Sequence, residues 1–163
     1  MKKVIVIGCP GSGKSTFSKD LAIKTGLPLF HLDLLYWNSD KSIVAKNVFM
    51  KRLNKVLKGV SWIVDGNYAA TLETRIKACD TIFFLDYPLE VCLQGIQARK
   101  GKPRTDMPWV ETPDETDEEF IEFIREYRVK NRPQVIALLE KYSNKKIVVF
   151  NERIESEEFL SQM

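Results

Sequence analysis

A glycine-rich segment near the amino terminus has the composition and spacing of a phosphate-binding loop. Residues 8–15 spell GCPGSGKS and match GxxxxGK followed by Ser or Thr at every fixed position. Glycines let successive backbone N–H groups point at a phosphate, and the helix that follows adds the positive end of its dipole. Lys14 offers a cation to the terminal phosphates, and the Ser15 hydroxyl can ligate Mg²⁺. The expected nucleotide-binding residues are Gly8, Cys9, Pro10, Gly11, Ser12, Gly13, Lys14, Ser15 and Thr16.

A second, acidic partner for Mg²⁺ is expected at the end of a neighbouring strand. Two aspartates follow apolar runs: Asp65 comes after WIV, and Asp86 comes after IFFL. The glycine after Asp65 leaves its carboxylate beside a turn, whereas Asp86 precedes a tyrosine-proline pair and can cap the next helix. We therefore predict that Ser15 and Asp65 hold the metal.

An isolated acid, Asp33, lies where a short apolar run ends, within FHLDLLYW at residues 30–37. A hydroxyl acceptor loses its proton as it attacks a γ-phosphate, and a carboxylate within hydrogen-bond reach can take that proton. Asp33 is therefore either a base or substrate anchor, or the cap of a helix. Tyr36 and Trp37 either stack on a substrate or belong to the core. His31 alternates with apolar residues and is predicted to be structural.

Basic residues cluster after the fourth predicted strand and its helix, where Arg99 and Arg104 lie close to Lys100 and Lys102. Cations in such a position can clamp a transferring phosphoryl group and stabilise its charge. The candidate catalytic residues are Lys14, Asp33, Arg99 and Arg104.

Three further arginines, Arg125, Arg128 and Arg132, are spaced to share one helical face. They either face a bound nucleotide or pair with the glutamates around them on a solvated surface, and the spacing alone does not decide between the two.

The elements that position these residues alternate along the chain. Continuous apolar or β-branched runs predict strands at 4–7, 27–32, 61–64, 81–85 and 146–150. Helical patterns lie between them, at 15–25, around 49–58, at 69–78, at 89–100 and from 116 to 142, where Pro133 must kink or split the last. Strands alternating with helices predict an α/β fold of three layers with a five-stranded parallel sheet. Residues 101–116 contain three prolines and no periodicity, which predicts a loop that acts as a short lid.

Bulk composition excludes several classes of protein. The 163 residues predict a single domain, 1–163, and no segment approaches the roughly 18 apolar residues of a membrane span. Three widely spaced cysteines form no CxxC pair, so neither a disulfide framework nor a zinc site is indicated, and a cytoplasmic location is predicted. The net charge of +3 is too small to indicate DNA as a partner, although it does not exclude DNA binding. No feature of the sequence predicts an oligomeric state.

Five segments together carry a resemblance to a known family: GCPGSGKST, HLDLLYW, WIVDGNY, ACDTIFFLDYP and QARKGKPRTD. The chain resembles the adenylate-kinase-like branch of P-loop kinases, and more closely the topology modulation (FlaR-type) or adenylate-kinase-related proteins. The resemblance implies a five-stranded parallel core, ATP as phosphate donor, Mg²⁺, and a lid that carries arginines.

The acceptor side departs from adenylate kinases. Those enzymes carry Asp-Gly-Phe-Pro-Arg after the third strand, and the arginine holds the acceptor's phosphate, whereas residues 65–69 here are DGNYA. The nearest downstream cation is Arg75, and Asp33 with two aromatics replaces a second arginine-containing segment. We therefore expect an ATP-dependent phosphotransferase acting on a small molecule, a nucleoside or nucleotide above all. The alternative is a nucleotide-dependent regulatory or DNA-topology-associated protein. A GTPase is disfavoured because Asn-Lys-x-Asp is absent.

Overall fold

The structure is a computed structural model that describes residues 1–102, 105–108 and 117–163. Five parallel strands form one sheet in the order β2-β3-β1-β4-β5. The strands are β1 (Lys3–Gly8), β2 (Leu29–His31), β3 (Trp62–Asp65), β4 (Thr81–Leu85) and β5 (Lys146–Phe150). The prediction of a five-stranded parallel sheet is confirmed.

Helices cover both faces of the sheet. They are α1 (Lys14–Thr25), α2 (Leu32–Tyr36), α3 (Lys46–Leu57), α4 (Ala69–Ala78), α5 (Leu89–Arg99), α6 (Asp117–Glu126), α7 (Arg132–Lys141) and α8 (Arg153–Ser161). On β1, Val4 and Val6 pack with side chains of α1, α5 and α8, while Ile5 and Ile7 pack with side chains of α3, α4 and α7. Alternate residues of one strand thus enter two separate apolar cores, as expected of a strand buried on both faces. The predicted three-layer α/β fold is confirmed.

The second strand ends earlier than predicted. We expected a strand over 27–32, but β2 covers only Leu29–His31, and Leu32 begins the five-residue helix α2. Leu32 is fully buried against the neighbouring Gly66 turn, so its apolar character reflects packing of a helix and not a longer strand. The carboxylate of Asp33 is therefore carried by a helical turn.

The long helix predicted from 116 to 142 is divided. Helices α6 and α7 are separated by a π-helical turn at Tyr127–Asn131, and Pro133 lies in the first turn of α7. Proline is tolerated there because the first turn of a helix does not use that N–H group. The predicted split is confirmed.

Among the described residues, no helix combines the length and the apolar character needed to cross a membrane.

Candidate active site

A cavity of about 1430 Å³ opens where β1, β2 and β3 end. The strand register places these ends together, because Val6 of β1 and His31 of β2 both pair with Asp65 of β3. Predicted site residues that line this cavity are Pro10, Gly11, Gly13, Lys14, Ser15, Thr16, Asp33, Asp65 and Arg99. Parallel sheets bring functional side chains together in this way, since strand carboxyl ends share one edge.

The phosphate-binding loop adopts the conformation that its glycines permit. Gly11 and Gly13 have φ angles of 81° and 87°, in the left-handed region, and Gly13 stands at the N-cap of α1 without a side-chain cap. The first backbone N–H groups of α1 therefore remain available to an anion. Cys9 and Ser12 are buried behind the cavity wall, and the Ser12 hydroxyl has no hydrogen-bond partner among the described residues. Roles for these two and for Gly8 in nucleotide binding stay predictions.

Helix α5 supports the loop through backbone contact. A Cβ atom on Gly95 would lie 2.0 Å from the Gly11 carbonyl oxygen, and one on Gly11 would lie 2.1 Å from the Cys92 carbonyl oxygen. Only two glycines allow so close an approach. A second support comes from Asn67, whose Oδ1 accepts a hydrogen bond of 3.2 Å from the Gly8 N–H.

Lys14 lies inside the loop, where its Nζ donates to the Cys9 carbonyl at 3.1 Å. Burial lowers the pKa of Lys14, while the carboxylates of Asp65 and Asp33 act in the opposite direction. Lys14, Asp33 and Asp65 all line the same cavity.

Asp33 is not a helix cap. The N-cap of α2 is His31, and Asp33 lies within the helix, where its Oδ1 accepts a hydrogen bond from the Tyr68 hydroxyl. Tyr68 also packs against Tyr36, with ring centroids 4.6 Å apart, and Tyr36 meets Trp37 edge to face at 5.1 Å. Tyr36, Trp37 and Tyr68 all line the cavity, so the two aromatic residues after Asp33 are accessible to a ligand. Tyr36 also packs on the core.

Arg75 is a buried structural cation. Its side chain is fully buried, and its guanidinium donates to the carbonyls of Gly66 at 2.9 Å, Asn67 and Tyr68, and to Thr71 Oγ1 at 3.2 Å. These bonds fix the β3–α4 connection, in which Tyr68 has the unusual φ of 31° for a non-glycine residue. Arg75 does not line the cavity and therefore does not replace the acceptor arginine of adenylate kinases.

The two candidate metal aspartates have different surroundings. Asp65 is 4% exposed, lines the cavity, and its Oδ2 lies 2.7 Å from His31 Nδ1. Asp86 accepts hydrogen bonds from Nε and Nη2 of Arg132, at 2.7 and 2.6 Å, and does not line the cavity. These surroundings favour Asp65 over Asp86, as the sequence did, and they give His31 the structural role expected of it.

Oxygen ligands suited to Mg²⁺ line the cavity. The Ser15 hydroxyl donates to Asp106 Oδ2 at 2.7 Å, and Asp65 lines the same cavity. Within residues 1–102, 105–108 and 117–163, no three His, Cys, Asp or Glu side chains group closely enough to hold a metal alone. This donor set fits Mg²⁺, which commonly takes one or two carboxylates and completes its shell with phosphates and water.

The predicted cations are only partly brought to the cavity. Arg99 and Lys102 line it, whereas Arg104 lies outside the described residues. The Arg128 guanidinium donates to the Tyr87 carbonyl at 2.9 Å, and Arg132 pairs with Asp86. These partners are not among the glutamates considered in the sequence analysis.

Several residues of the cavity wall were not predicted from the sequence, and four of them carry polar groups of particular interest: Tyr68, Asp106, Tyr127 and Arg153. The Tyr127 hydroxyl is buried in the π-helical turn and has no partner in the described part of the chain. The Arg153 guanidinium approaches Gly13 and lies 5.5 Å from the Tyr87 ring. None of these residues belongs to a local sequence pattern. Arg153 lines the cavity because α8, which begins at this residue, starts beside the loop.

Comparison with known proteins identifies the fold. A crystal structure of shikimate kinase from Bacteroides thetaiotaomicron is similar over 98% of this chain and 94% of that one, with a TM-score of 0.58 and 16% sequence identity. The chain therefore shares the three-layer α/β fold of that structure. No protein-family profile matches the sequence, and no curated protein matches it.

Proposed function

We propose that this protein is an ATP-dependent kinase of a small molecule that carries a hydroxyl group. The observation that carries the proposal is the joint position of Lys14 and Asp33 on one cavity, with the phosphate-binding loop on one side and a carboxylate on the other. A P-loop kinase fold supports it, since the structurally similar protein is itself a kinase.

The phosphate donor lies on the loop in this proposal. Backbone N–H groups of the loop and of the first turn of α1 bind the phosphates, and Lys14 contacts the terminal ones. Arg99, together with Arg104, stabilises charge on the transferring phosphoryl group. Mg²⁺, held by Ser15 and Asp65, would neutralise charge on the β- and γ-phosphates.

The acceptor lies between Asp33 and the aromatic side chains of Tyr36 and Trp37. Its hydroxyl oxygen forms a bond to the γ-phosphorus, the bond from phosphorus to the ADP oxygen breaks, and Asp33 takes the hydroxyl proton. Tyr68 holds the Asp33 carboxylate in place through its hydroxyl. A planar base or sugar ring could pack on the aromatics, which is why nucleosides and nucleotides are the first acceptors to test.

The cation that an acceptor phosphate would need is not supplied by Arg75, because its guanidinium is bound to backbone carbonyls. This favours an acceptor whose reacting group is a hydroxyl over one whose reacting group is a phosphate. The closer resemblance to topology modulation proteins stays a prediction, as does a regulatory role in contact with DNA.

A coupled assay of ADP release tests the proposal. Nucleosides, nucleoside monophosphates and small hydroxyl metabolites are supplied separately with Mg-ATP, and we expect at least one nucleoside or related hydroxyl compound to stimulate release. The Lys14→Ala variant serves as the inactive control. No stimulation by any acceptor, combined with salt-sensitive DNA binding that depends on ATP, would instead support the regulatory alternative.

A further inference from the structure

A carboxylate from outside the sheet is bound to the loop. Asp106 lies between α5 and α6, and its Oδ2 accepts the hydrogen bond from the Ser15 hydroxyl at 2.7 Å. The side chain is 3% exposed, although the preceding residue, Thr105, is exposed. An ionised carboxylate is buried only where specific partners compensate for lost hydration. Its position therefore indicates a role at the loop.

We propose that Asp106 is the positioning residue of the Mg²⁺ site, holding the Ser15 hydroxyl so that its oxygen faces the metal. This inference rests on the proposed function, since it concerns the same Mg-ATP site.

The chemistry of a hydroxyl group supports this assignment. A serine hydroxyl has one proton to donate and two lone pairs. When Asp106 accepts the proton, both lone pairs remain for a cation, so the hydrogen bond and metal ligation by Ser15 are compatible. A carboxylate that accepts the hydroxyl proton also makes the hydroxyl oxygen a stronger metal ligand, and it adds negative charge close to the metal.

In P-loop NTPases an acidic residue usually accompanies the loop serine at the metal. The strand acid here, Asp65, lies against His31, whereas the carboxylate in contact with Ser15 comes from Asp106. The metal site thus draws on two parts of the chain, the end of β3 and the connection between α5 and α6.

Metal affinity can be measured apart from catalysis. Mn²⁺ is titrated into the full-length protein saturated with a non-hydrolysable ATP analogue, and free Mn²⁺ is counted by electron paramagnetic resonance. We expect Asp106→Asn to weaken Mn²⁺ binding by about tenfold or more, as substitution of residues that orient metal ligands commonly does. Nucleotide affinity in EDTA should change less than about twofold, because the loop itself is intact.

Two further variants separate the specific role from a general charge effect. Glu119→Gln removes an exposed carboxylate from the same cavity and should leave Mn²⁺ affinity unchanged. In a double-mutant cycle, Asp106→Asn should have little effect once Ser15 is alanine, because the carboxylate acts through that hydroxyl.

Two results would overturn the assignment. One is unchanged Mn²⁺ affinity in Asp106→Asn; if nucleotide also binds more tightly in EDTA, Asp106 is an anion that competes with phosphate. The other is an equal loss in Glu119→Gln. Failure of the wild-type protein to bind the nucleotide analogue at all would overturn the proposed function as well, which distinguishes the two failures.

Discussion

The Tyr68 hydroxyl donates a hydrogen bond to Asp33, joining the β3–α4 connection to the first turn of α2. Two chain segments more than thirty residues apart thus meet at one carboxylate on the cavity wall. Tyr68 is in turn held by Arg75, which binds its carbonyl oxygen at 3.3 Å. The orientation of the proposed base therefore depends in part on Arg75, which does not line the cavity.

Replacement of Asp33 by asparagine should lower kcat by about a hundredfold or more, because the amide cannot accept the hydroxyl proton. The affinity for ATP should change little, since the loop is untouched. Steady-state kinetics with the best acceptor, together with ATP binding measured by fluorescence, test this. Tyr68→Phe keeps the carboxylate and should lower kcat less. Full activity of Asp33→Asn would remove the base assignment.

Loss of the loop lysine should abolish turnover. In Lys14→Ala the cation that contacts the terminal phosphates is missing, and we expect kcat/KM for ATP to fall by about a thousandfold. Lys24→Ala, an exposed lysine at the end of α1, is the matched control and should behave as wild type. Comparable activity of the two variants would contradict the assignment of the site to the loop.

A methyl group on Gly95 should disturb the loop from behind. The added Cβ would overlap the Gly11 carbonyl oxygen, which is backbone and can move only if the loop moves. Overpacking of this kind costs about 1–3 kcal/mol, so we expect ATP affinity to fall by roughly tenfold or more in Gly95→Ala. Gln97→Ala changes an exposed residue of the same helix and should bind ATP normally. Calorimetric titration with ATP compares the two, and equal affinities would show that the loop does not depend on α5.

Arg75→Met should lower both stability and turnover. The apolar side chain cannot satisfy the carbonyls of Gly66, Asn67 and Tyr68, and buried unsatisfied groups cost about 1–3 kcal/mol each. We expect a lower Tm by calorimetry and a lower kcat, because Tyr68 is no longer fixed. Lys77→Met on the exposed face of α4 controls for removal of a charge. A normal kcat in folded Arg75→Met would show that Arg75 does not affect turnover through Tyr68.

The carboxylate of Asp80 should contribute to acid sensitivity. It is partly desolvated, which opposes ionisation, but hydrogen bonds from Thr81 and from the backbone N–H groups of Lys3 and Lys2 dominate and lower its pKa. A depressed folded-state pKa adds stability that is present above the ordinary carboxyl pKa and is lost as the pH falls through the folded-state value.

Asp80→Asn should therefore lower Tm by roughly 2–4 °C at pH 6 and have a smaller effect below pH 3, since the exposed carboxylate contributes about 1 kcal/mol at most. Thermal melts between pH 2.5 and 6 measure the difference. A constant difference across this range would contradict the role of the ionised form.

The sequence predicted the sheet and the phosphate-binding loop because both are local. A β-branched run such as Val4–Ile7 and the spacing of Gly8, Gly13 and Lys14 carry their information within a few residues. The five strands and both helical layers followed from the same kind of pattern. Asp33 was also found, because an acid after a predicted strand must lie at the carboxyl edge of the sheet.

The remaining cavity residues depend on long-range contacts. Asp106 is separated from Ser15 by 91 positions, and the loop that carries it has no periodicity. Tyr68 was hidden because its importance comes from the Arg75 bonds that hold its backbone. The sequence identified Arg75 as a cation near the site, but it did not show that the guanidinium binds backbone carbonyl oxygens.

The contact between Gly11 and Gly95 has a mechanical consequence. Arg99 lies one helical turn beyond Gly95 on α5, and Lys14 lies three residues beyond Gly11, so two interlocked backbones connect the two cations. The backbone spacing between these two positions is therefore set when the chain folds. Any adjustment of the distance between the two charges is then left to rotation of the Lys14 and Arg99 side chains.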